Sequence, residues 1–264
     1  MIDSILEEFI KKNAPDDNVA VLLSGGVDSL SLAFAADRLG KKVHAYNFHL
    51  EDDVSYDTRT ANIVSSKFKW EITNVAVPVN NLIEDFYKLS KQYLCKKKTQ
   101  YECTYPFLYV YPEIKQKYIL SGIGADGWYG LSKKCMIHFK EPKELFDKYR
   151  IDSFKSENYA GLNQQLMLAK ENNKILLNPY LNNEDVKEFF MRYNHKELHN
   201  GAQKSHVRRA YQDYFSRIPK VKPHWNLQLC SNVDKLFETL LDNQEINYKK
   251  RKRVMDICRD WAVK

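Results

Sequence analysis

Short apolar runs alternate with helix-like periodicity over the first half of the chain. An apolar run without a polar face predicts a strand that is covered on both faces, because such a strand has no side to turn toward water. Alternation with helices predicts βαβ units with right-handed crossovers. The fold class that follows is α/β, a parallel sheet with helices on both faces. The predicted strands are 19–23, 42–48, 70–77 and 118–121, and the predicted helices are 3–13, 28–39, 57–68 and 80–93.

The strand signal fades after Gly130, and helical periodicity dominates from about Glu141 to the end of the chain. We expect this half to be an all-helical lobe that packs against the sheet and completes the active site formed there. The division that we predict is an α/β domain at 1–135 and a helical lobe at 136–264.

The composition is that of a globular protein with a substantial core. The chain has 264 residues, of which 44% are hydrophobic and 28% charged, so fibrous and broadly disordered classes are excluded. No apolar stretch approaches the roughly 18 residues of a membrane span, and the N-terminus lacks the features of a signal peptide. The five cysteines contain no CxxC pair, which argues against a disulfide framework. We therefore expect a cytoplasmic protein with reduced thiols and no membrane partner.

Basic residues exceed acidic ones and give a formal net charge of +7. Part of the excess is local, in Lys96–Lys98 and in the run 249–253. Such runs are usually solvated surfaces, but a basic surface also suits a polyanion. Nucleic acid is therefore one partner that the composition allows.

The strongest chemical signal is the string SGGVDS at Ser24–Ser29, between the first predicted strand and the helix that follows. Two glycines permit a tight turn that exposes backbone N–H groups, and the serine hydroxyls and the helix N-terminus add further donors. A serine cap with a glycine turn would explain the first dipeptide alone, whereas the whole string at this place favours a phosphate site. The chain has no Walker-type GxxxxGK[ST] sequence. The predicted nucleotide-binding residues here are Leu23, Ser24, Gly25, Gly26, Val27, Asp28 and Ser29.

A second glycine segment, Ser121–Asp126, follows the fourth predicted strand. It begins a GxGxxG pattern, but a dinucleotide-binding fold places that pattern after its first strand and at the start of a long helix. We instead predict a second wall of the same site, with Ser121 and Gly122 beside the nucleotide. Asp28 and Asp126 would then converge on a magnesium ion bound to phosphate oxygens.

These motifs resemble those of the PP-loop ATP pyrophosphatase superfamily, whose signature SGGxDS stands at Ser24–Ser29. Within that superfamily, the chain is most similar to the synthetase domain of asparagine synthetase and to β-lactam synthetase. The resemblance spans roughly residues 18–226. Four further segments carry the resemblance. Residues 45–51 are similar to the second strand of the family, and residues 121–126 are similar to its SGEGADE segment. Residues 204–210 are similar to its KxxxR helix, and residues 220–225 are similar to its RxKxxF motif.

The resemblance implies a HUP-type fold and a reaction in which ATP is cleaved between its α and β phosphates. Members adenylate a substrate oxygen, release pyrophosphate, and let a nitrogen or sulfur nucleophile displace AMP. The implied cofactors are ATP and Mg2+, with Asp28 and Asp126 as metal ligands and Phe48 in the adenine pocket. Lys222 is expected to reach the α-phosphate, so Lys222, Asp28 and Asp126 are the predicted catalytic residues. The implied enzyme is an AMP-forming, amidotransferase-like ligase of the ATP pyrophosphatase type, acting on a small-molecule or nucleoside substrate.

The chain departs from the family at two positions of the SGEGADE segment, where Ile123 and Gly127 replace glutamates. An isoleucine neither accepts a proton nor orders water, so a group that orients or deprotonates the substrate is missing there. No glutaminase domain is expected, because Met1 is followed by Ile2 rather than by a nucleophilic cysteine. The partner that we expect is a second copy of the chain or a separate protein that supplies ammonia, unless the nucleophile is itself an amine.

Two other functions stay open on the sequence. A nucleic-acid or nucleoside modifying enzyme would adenylate a base oxygen, which suits the basic excess. A non-catalytic ATP-binding module would explain Ile123 and Gly127. His195 and His199 have the spacing of zinc ligands on a helix, but the sequence offers no clear third ligand, and an exposed helix end is the favoured interpretation.

Overall fold

The computed structural model describes residues 1–51, 53–131, 133–137, 142–153, 161–219 and 227–243. The strands are β1 (Asn18–Leu22), β2 (Lys42–Leu50), β3 (Glu71–Val77), β4 (Tyr118–Leu120) and β5 (Ile175–Leu177). The helices up to residue 137 are α1 (Ile2–Asn13), α2 (Val27–Arg38), α3 (Tyr56–Phe68), α4 (Leu82–Lys91), α5 (Lys98–Thr104), α6 (Phe107–Glu113), α7 (Ala125–Trp128) and α8 (Lys133–Ile137). The later helices are α9 (Lys143–Ser153), α10 (Leu162–Glu171), α11 (Pro179–Asn182), α12 (Glu184–Met191), α13 (His195–Leu198), α14 (Ser205–Ala210), α15 (Gln212–Phe215), α16 (Leu227–Cys230) and α17 (Val233–Asn243). None of these helices has the length and apolar character that crossing a lipid bilayer requires.

The described strands run parallel in one sheet, in the order β3-β2-β1-β4-β5. This confirms the predicted α/β fold with a parallel sheet. The central strand β1 pairs with β2 on one side and with β4 on the other, so that Val21 lies opposite both Ala45 and Leu120. In sheets whose strand order reverses in this way, ligands bind in the crevice at the carboxyl ends of the strands that flank the reversal. The loops after β1 and β4 are therefore where a site is expected.

The sheet is covered on both faces because successive side chains of a strand point to opposite sides. Val21 of β1 packs with Phe34 of α2 in one core, and Ala20 packs with Phe86 of α4 in the other. The aromatic segment before β4 belongs to the second core. Its fully buried tyrosines are Tyr101, Tyr105 and Tyr111.

The strand β5 corrects the expectation of an all-helical second half. Ile175–Leu177 lies in the predicted helical lobe, yet it pairs in parallel with Tyr118–Leu120 of β4. Three residues are too few to produce a periodic signal, and the pairing provides partners for backbone groups of β4 that would otherwise be unsatisfied. The division of the chain at residue 135 stays a prediction.

A buried arginine holds the second half of the chain against the segment after β4. Arg150 of α9 is fully buried and donates to the carbonyl oxygens of Trp128 at 3.0 Å and of Phe190 at 2.9 Å. It also pairs with Asp147. Because these contacts join α7, α9 and α12, they fix the position of α7, the short helix that follows the second glycine segment.

Candidate active site

The SGGVDS loop connects β1 to α2 and turns at Gly25, whose φ of +81° lies in the left-handed region. A side chain at this position would also collide with α3, because a Cβ on Gly25 would lie 2.3 Å from Thr60 Cγ2. Both the backbone conformation and the available space therefore require glycine.

Two serine hydroxyls bind the loop to itself. Ser24 Oγ accepts a hydrogen bond from the Gly26 N–H at 3.2 Å, and Ser29 Oγ donates to Gly26 O at 3.1 Å. The two hydroxyl oxygens lie 3.2 Å apart. The loop is thus pre-formed around the first turn of α2, where the positive end of the helix dipole attracts anions.

Asn47 of β2 fastens the start of the loop. Its Nδ2 donates to Leu23 O at 2.5 Å, and its Oδ1 accepts from Thr58 Oγ1 at 2.7 Å. The backbone N–H of Leu23 also donates to Tyr46 O at 2.9 Å. The pairing of β1 with β2 therefore continues into the loop, and the buried side-chain amide of Asn47 holds the start of the loop in place.

The second wall of the site runs from β4 into α7. A Cβ on Gly122 would lie 3.0 Å from the backbone carbonyl carbon of Asp28, so glycine allows the wall to approach α2 closely. Gly124 has a φ of +99°, and a Cβ there would lie 2.5 Å from Leu181 Cδ2. The turn that these glycines permit leads directly into Asp126, in the first turn of α7.

Lys204 joins the two predicted metal ligands. Its Nζ lies 2.5 Å from Asp28 Oδ2 and 2.6 Å from Asp126 Oδ1. Burial lowers the pKa of a lysine, but here the two carboxylates outweigh burial, so the pKa of Lys204 is raised. Two carboxylates and one permanently charged ammonium therefore meet beside the SGGVDS loop.

His199 supports the backbone of Lys204, which precedes α14 with a φ of +59°. His199 Nδ1 accepts from the Lys204 N–H at 3.3 Å, and its Nε2 lies 2.9 Å from Tyr129 O, to which it donates. This pattern requires the neutral ring with its proton on Nε2. Burial lowers the pKa of His199 and favours that form. The expectation of an exposed helix end is therefore wrong for His199.

The loop, the second wall and the end of β2 border a pocket of about 240 Å³. Side chains from helices far along the chain also line it, including Phe107 of α6, Gln165 of α10 and Leu227 of α16. Gly25, Gly26 and Val27 shape the loop and are not part of the lining, and Lys222 lies outside the described residues. The predicted site residues that do line the pocket are Leu23, Ser24, Asp28, Ser29, Phe48, Ser121, Gly122 and Asp126.

The two carboxylates fit a magnesium site that a nucleotide would complete. Asp28 Oδ2 and Asp126 Oδ1 both contact one nitrogen atom, so a single cation is able to contact both oxygens. Carboxylate oxygens are ligands that Mg2+ prefers. Among the described residues, no group of three or more His, Cys, Asp or Glu side chains is arranged to hold a metal ion. A magnesium ion at this place would take its other ligands from phosphate and water.

Comparison with known proteins identifies the family to which the chain belongs. The sequence matches the asparagine synthase family over residues 2–214. The chain belongs to the asparagine synthase family. Membership confirms the resemblance to PP-loop synthetases and supports nucleotide binding with chemistry of the ATP pyrophosphatase type.

Other comparisons add little to the family assignment. No curated protein matches the sequence significantly. Among solved structures, the crystal structure of a predicted subunit of tRNA methyltransferase from Methanocaldococcus jannaschii is similar, with a TM-score of 0.38 and 10% sequence identity over 78% of this chain and 93% of that chain. This similarity is too low to bear on function.

The pocket of this asparagine synthase family member has two features of its own. Ile123 lines the cavity at a position where the resemblance led us to expect a glutamate, and Gly127, the other such position, is buried in α7 outside the lining. The family match ends at residue 214, whereas Leu227 and Ser231 also line the pocket. The segment that begins with α16 therefore adds a wall from beyond the matched region.

Several residues of the site are absent from the predicted set. Lys204 is the lysine of the KxxxR segment, so the family resemblance carried a signal for it. Asn47 is a polar residue inside an apolar strand, which is a recognisable sign of a buried hydrogen bond. Gln165 and Ser231 have no local signal, because only the packing of α10 and α16 brings them to the pocket.

Proposed function

We propose that the chain is an ATP-dependent, AMP-forming ligase that adenylates an oxygen of its substrate, releases pyrophosphate, and transfers the activated group to an amine or ammonia. The observation that carries the proposal is the Lys204 ammonium held between Asp28 and Asp126 beside the SGGVDS loop. A phosphate-binding loop, two carboxylates of the metal-binding type and a buried cation meet at one point. Displacement at a phosphate is catalysed mainly by such positioning and charge stabilisation.

The SGGVDS loop is suited to hold the leaving pyrophosphate. Its turn at Gly25 and the contacts between Ser24 and Ser29 form it in advance, and the N-terminus of α2 adds positive potential. Groups that are already in place need no reorganisation when charge develops on the phosphates. Asp28 and Asp126 would hold Mg2+, which supplies further neutralisation of that charge when bound.

Lys204 is proposed to stabilise charge at the reacting phosphate. Its Nζ lies between the two carboxylates, so it is positioned for phosphate oxygens that bind beside them. Because its pKa is raised, Lys204 keeps its proton at neutral pH and acts as a cation rather than as a base. By resemblance, we propose Lys222 as a second cation for the α-phosphate.

The nucleophile is proposed to be a neutral amine or neutral ammonia, and the proton that its nitrogen loses when AMP is displaced goes to the phosphate of the leaving AMP. Ile123 offers no proton acceptor, and the neighbouring carboxylate of Asp126 is already paired with Lys204.

A nucleoside or nucleic-acid substrate is the second candidate, and the net charge of +7 favours it. Binding of a polyanion releases counterions, so the affinity would fall steeply as the salt concentration rises. A ligase for a small molecule would show a much weaker dependence on salt.

ATP labelled at the α-phosphate tests the proposal when the protein is incubated with pools of metabolites or of nucleic acid. We expect labelled AMP, pyrophosphate and a new adduct. Ser24→Ala and Asp28→Asn should abolish this release in a protein that stays folded, because both side chains act on phosphate and metal. Asp213→Asn removes an exposed carboxylate paired with Arg38 and should leave the release unchanged.

Three outcomes would contradict the proposal. Formation of ADP instead of AMP would show cleavage at a different phosphate. Normal turnover by Asp28→Asn would remove the site from the reaction. Binding of ATP without release of pyrophosphate in either pool would favour a non-catalytic module.

A further inference from the structure

Tyr129, the residue that follows α7, contacts Lys204 at both ends of the lysine. The Lys204 ammonium lies over the Tyr129 ring, with Nζ 5.4 Å from the ring centroid. The carbonyl oxygen of Tyr129 accepts from His199 Nε2 at 2.9 Å, and His199 Nδ1 accepts from the Lys204 N–H at 3.3 Å. A cation within about 6 Å of an aromatic ring is attracted by the negative charge on the face of that ring. Tyr129 therefore attracts the ammonium directly and supports the backbone of the same lysine through His199.

The ring of Tyr129 is held in place by its surroundings. Tyr129 is fully buried, and Phe190 of α12 meets it edge to face with ring centroids 4.7 Å apart. Its backbone N–H donates to Ala125 O at 3.1 Å. Arg150 donates to the carbonyl oxygen of Phe190 and so fixes the helix behind the ring. Because side chains in a close-packed core keep one arrangement, the ring offers the ammonium a constant position.

The two carboxylates are less firmly held than the ring. The side chain of Asp126 is 63% exposed and that of Asp28 is 19% exposed, whereas that of Lys204 is only 10% exposed. A magnesium ion at the proposed site would take up the same two carboxylate oxygens. A buried ammonium that loses such partners needs another one, because an unpaired buried charge is costly. The face of the Tyr129 ring is a partner that the metal ion leaves in place.

The contact depends on the ring of Tyr129 and not on its hydroxyl group. The hydroxyl oxygen is buried, and no described residue forms a hydrogen bond with it. Removing a buried polar group that has no partner costs no hydrogen bond. Phenylalanine should therefore hold the ammonium as well as tyrosine does at this position.

We propose that Tyr129 is a positioning residue, whose ring holds the Lys204 ammonium beside the SGGVDS loop while Asp28 and Asp126 bind a metal ion. The inference rests on the proposed function, because that function gives Lys204 its role at the phosphates. Tyr129 is outside the pocket lining, so it acts through Lys204 rather than on the nucleotide.

The first test varies the charge on the face of the ring and nearly preserves its shape. Tyr129→Phe is compared with the same position carrying phenylalanine with one, two or three fluorine atoms, introduced at an amber codon. Fluorine withdraws electrons from the ring face and weakens its attraction for a cation. In urea titrations, the folding equilibrium constant should fall about tenfold from phenylalanine to the trifluorinated ring. In the Lys204→Met background the same series should be flat, because no cation lies over the ring.

The second test measures pyrophosphate release per folded molecule, with the pool of substrates that supports it. Tyr129→Leu should lower the rate about tenfold, and Tyr129→Phe should restore it. Adding Tyr129→Leu to Lys204→Met should not slow release further, because the ring acts through the ammonium. Phe190→Leu is the matched control, since it removes an equally buried ring over which no cation of the described residues lies. It should lower stability and leave the rate per folded molecule unchanged.

Several results would overturn this role for Tyr129. A flat fluorine series with lysine present would show that the ring does not attract the ammonium, and an equal slope in Lys204→Met would show an effect of packing alone. An equal loss of release in Phe190→Leu or in Tyr129→Phe would assign the effect to the core or to the hydroxyl group. Each of these leaves release by the wild type, and with it the proposed function, intact. Absence of release by the wild-type protein would instead overturn the proposed function together with this role, while the urea series would still report the contact by itself.

Discussion

Replacing Lys204 by methionine removes the cation between two carboxylates and keeps most of the length and apolar stem of the side chain. Losing one partner of a buried ion pair costs about 3–5 kcal/mol. The cost is smaller here because the Asp126 side chain is 63% exposed and can turn to water, although that of Asp28 is only 19% exposed. We therefore expect Lys204→Met to lower the free energy of unfolding by about 2 kcal/mol.

This difference should be constant across neutral pH. The folded pKa of Lys204 is raised above that of an unfolded lysine, which is about 10.4. The stabilisation is therefore complete below the unfolded value and is lost only as the pH rises through the higher folded value. Urea titrations of wild type and Lys204→Met at pH 7 and pH 9 should give the same difference. Lys187→Met, which breaks an exposed pair with Glu184, should change stability by less than about 0.5 kcal/mol.

The same variant has two functional consequences. Pyrophosphate release should fall about 100-fold, which corresponds to about 3 kcal/mol of transition-state stabilisation. Without ATP, Mg2+ should raise the thermal stability of Lys204→Met more than that of the wild type, because the metal and the ammonium compete for the oxygens of Asp28 and Asp126. Wild-type stability together with wild-type AMP formation in Lys204→Met would refute the assignment of Lys204 as the cation of the site.

Two further predictions concern the parts that hold the site in place. Gly25→Ala should lower the free energy of unfolding by about 3 kcal/mol through backbone strain and overlap with Thr60. The control Gly40→Ala, where φ is +74° and the space around the residue is open, should lower it by about 1 kcal/mol. Equal losses for the two variants in urea titrations would count against the overlap with Thr60. Because burial lowers the folded pKa of His199, the wild type should lose stability as the pH falls below the unfolded value of about 6.5, and His199→Asn should lose less between pH 7.5 and pH 5. Parallel losses in the two proteins would show that His199 does not cause this dependence.

The SGGVDS loop and its place in the sheet are predictable from the sequence, because they depend on residues that are close together in the chain. The apolar run before Ser24 predicts β1, and the two glycines with Asp28 predict the turn into α2. Right-handed crossovers then bring the carboxyl ends of β1 and β4 to the same edge of the sheet, so Asp28 and Asp126 are expected to approach each other. The structure joins these two side chains through one ammonium group.

The tertiary structure alone decided which distant side chains complete the site. Lys204 lies 176 positions from Asp28 along the chain, and its left-handed backbone depends on a hydrogen bond to His199. Gln165 reaches the pocket only because α10 packs beside α5 and α6. Ile175–Leu177 forms a strand because it pairs in parallel with the edge of β4. A local sequence pattern reports interactions between residues a few positions apart, whereas a charge cluster or the wall of a pocket arises from elements that meet only when the chain is packed.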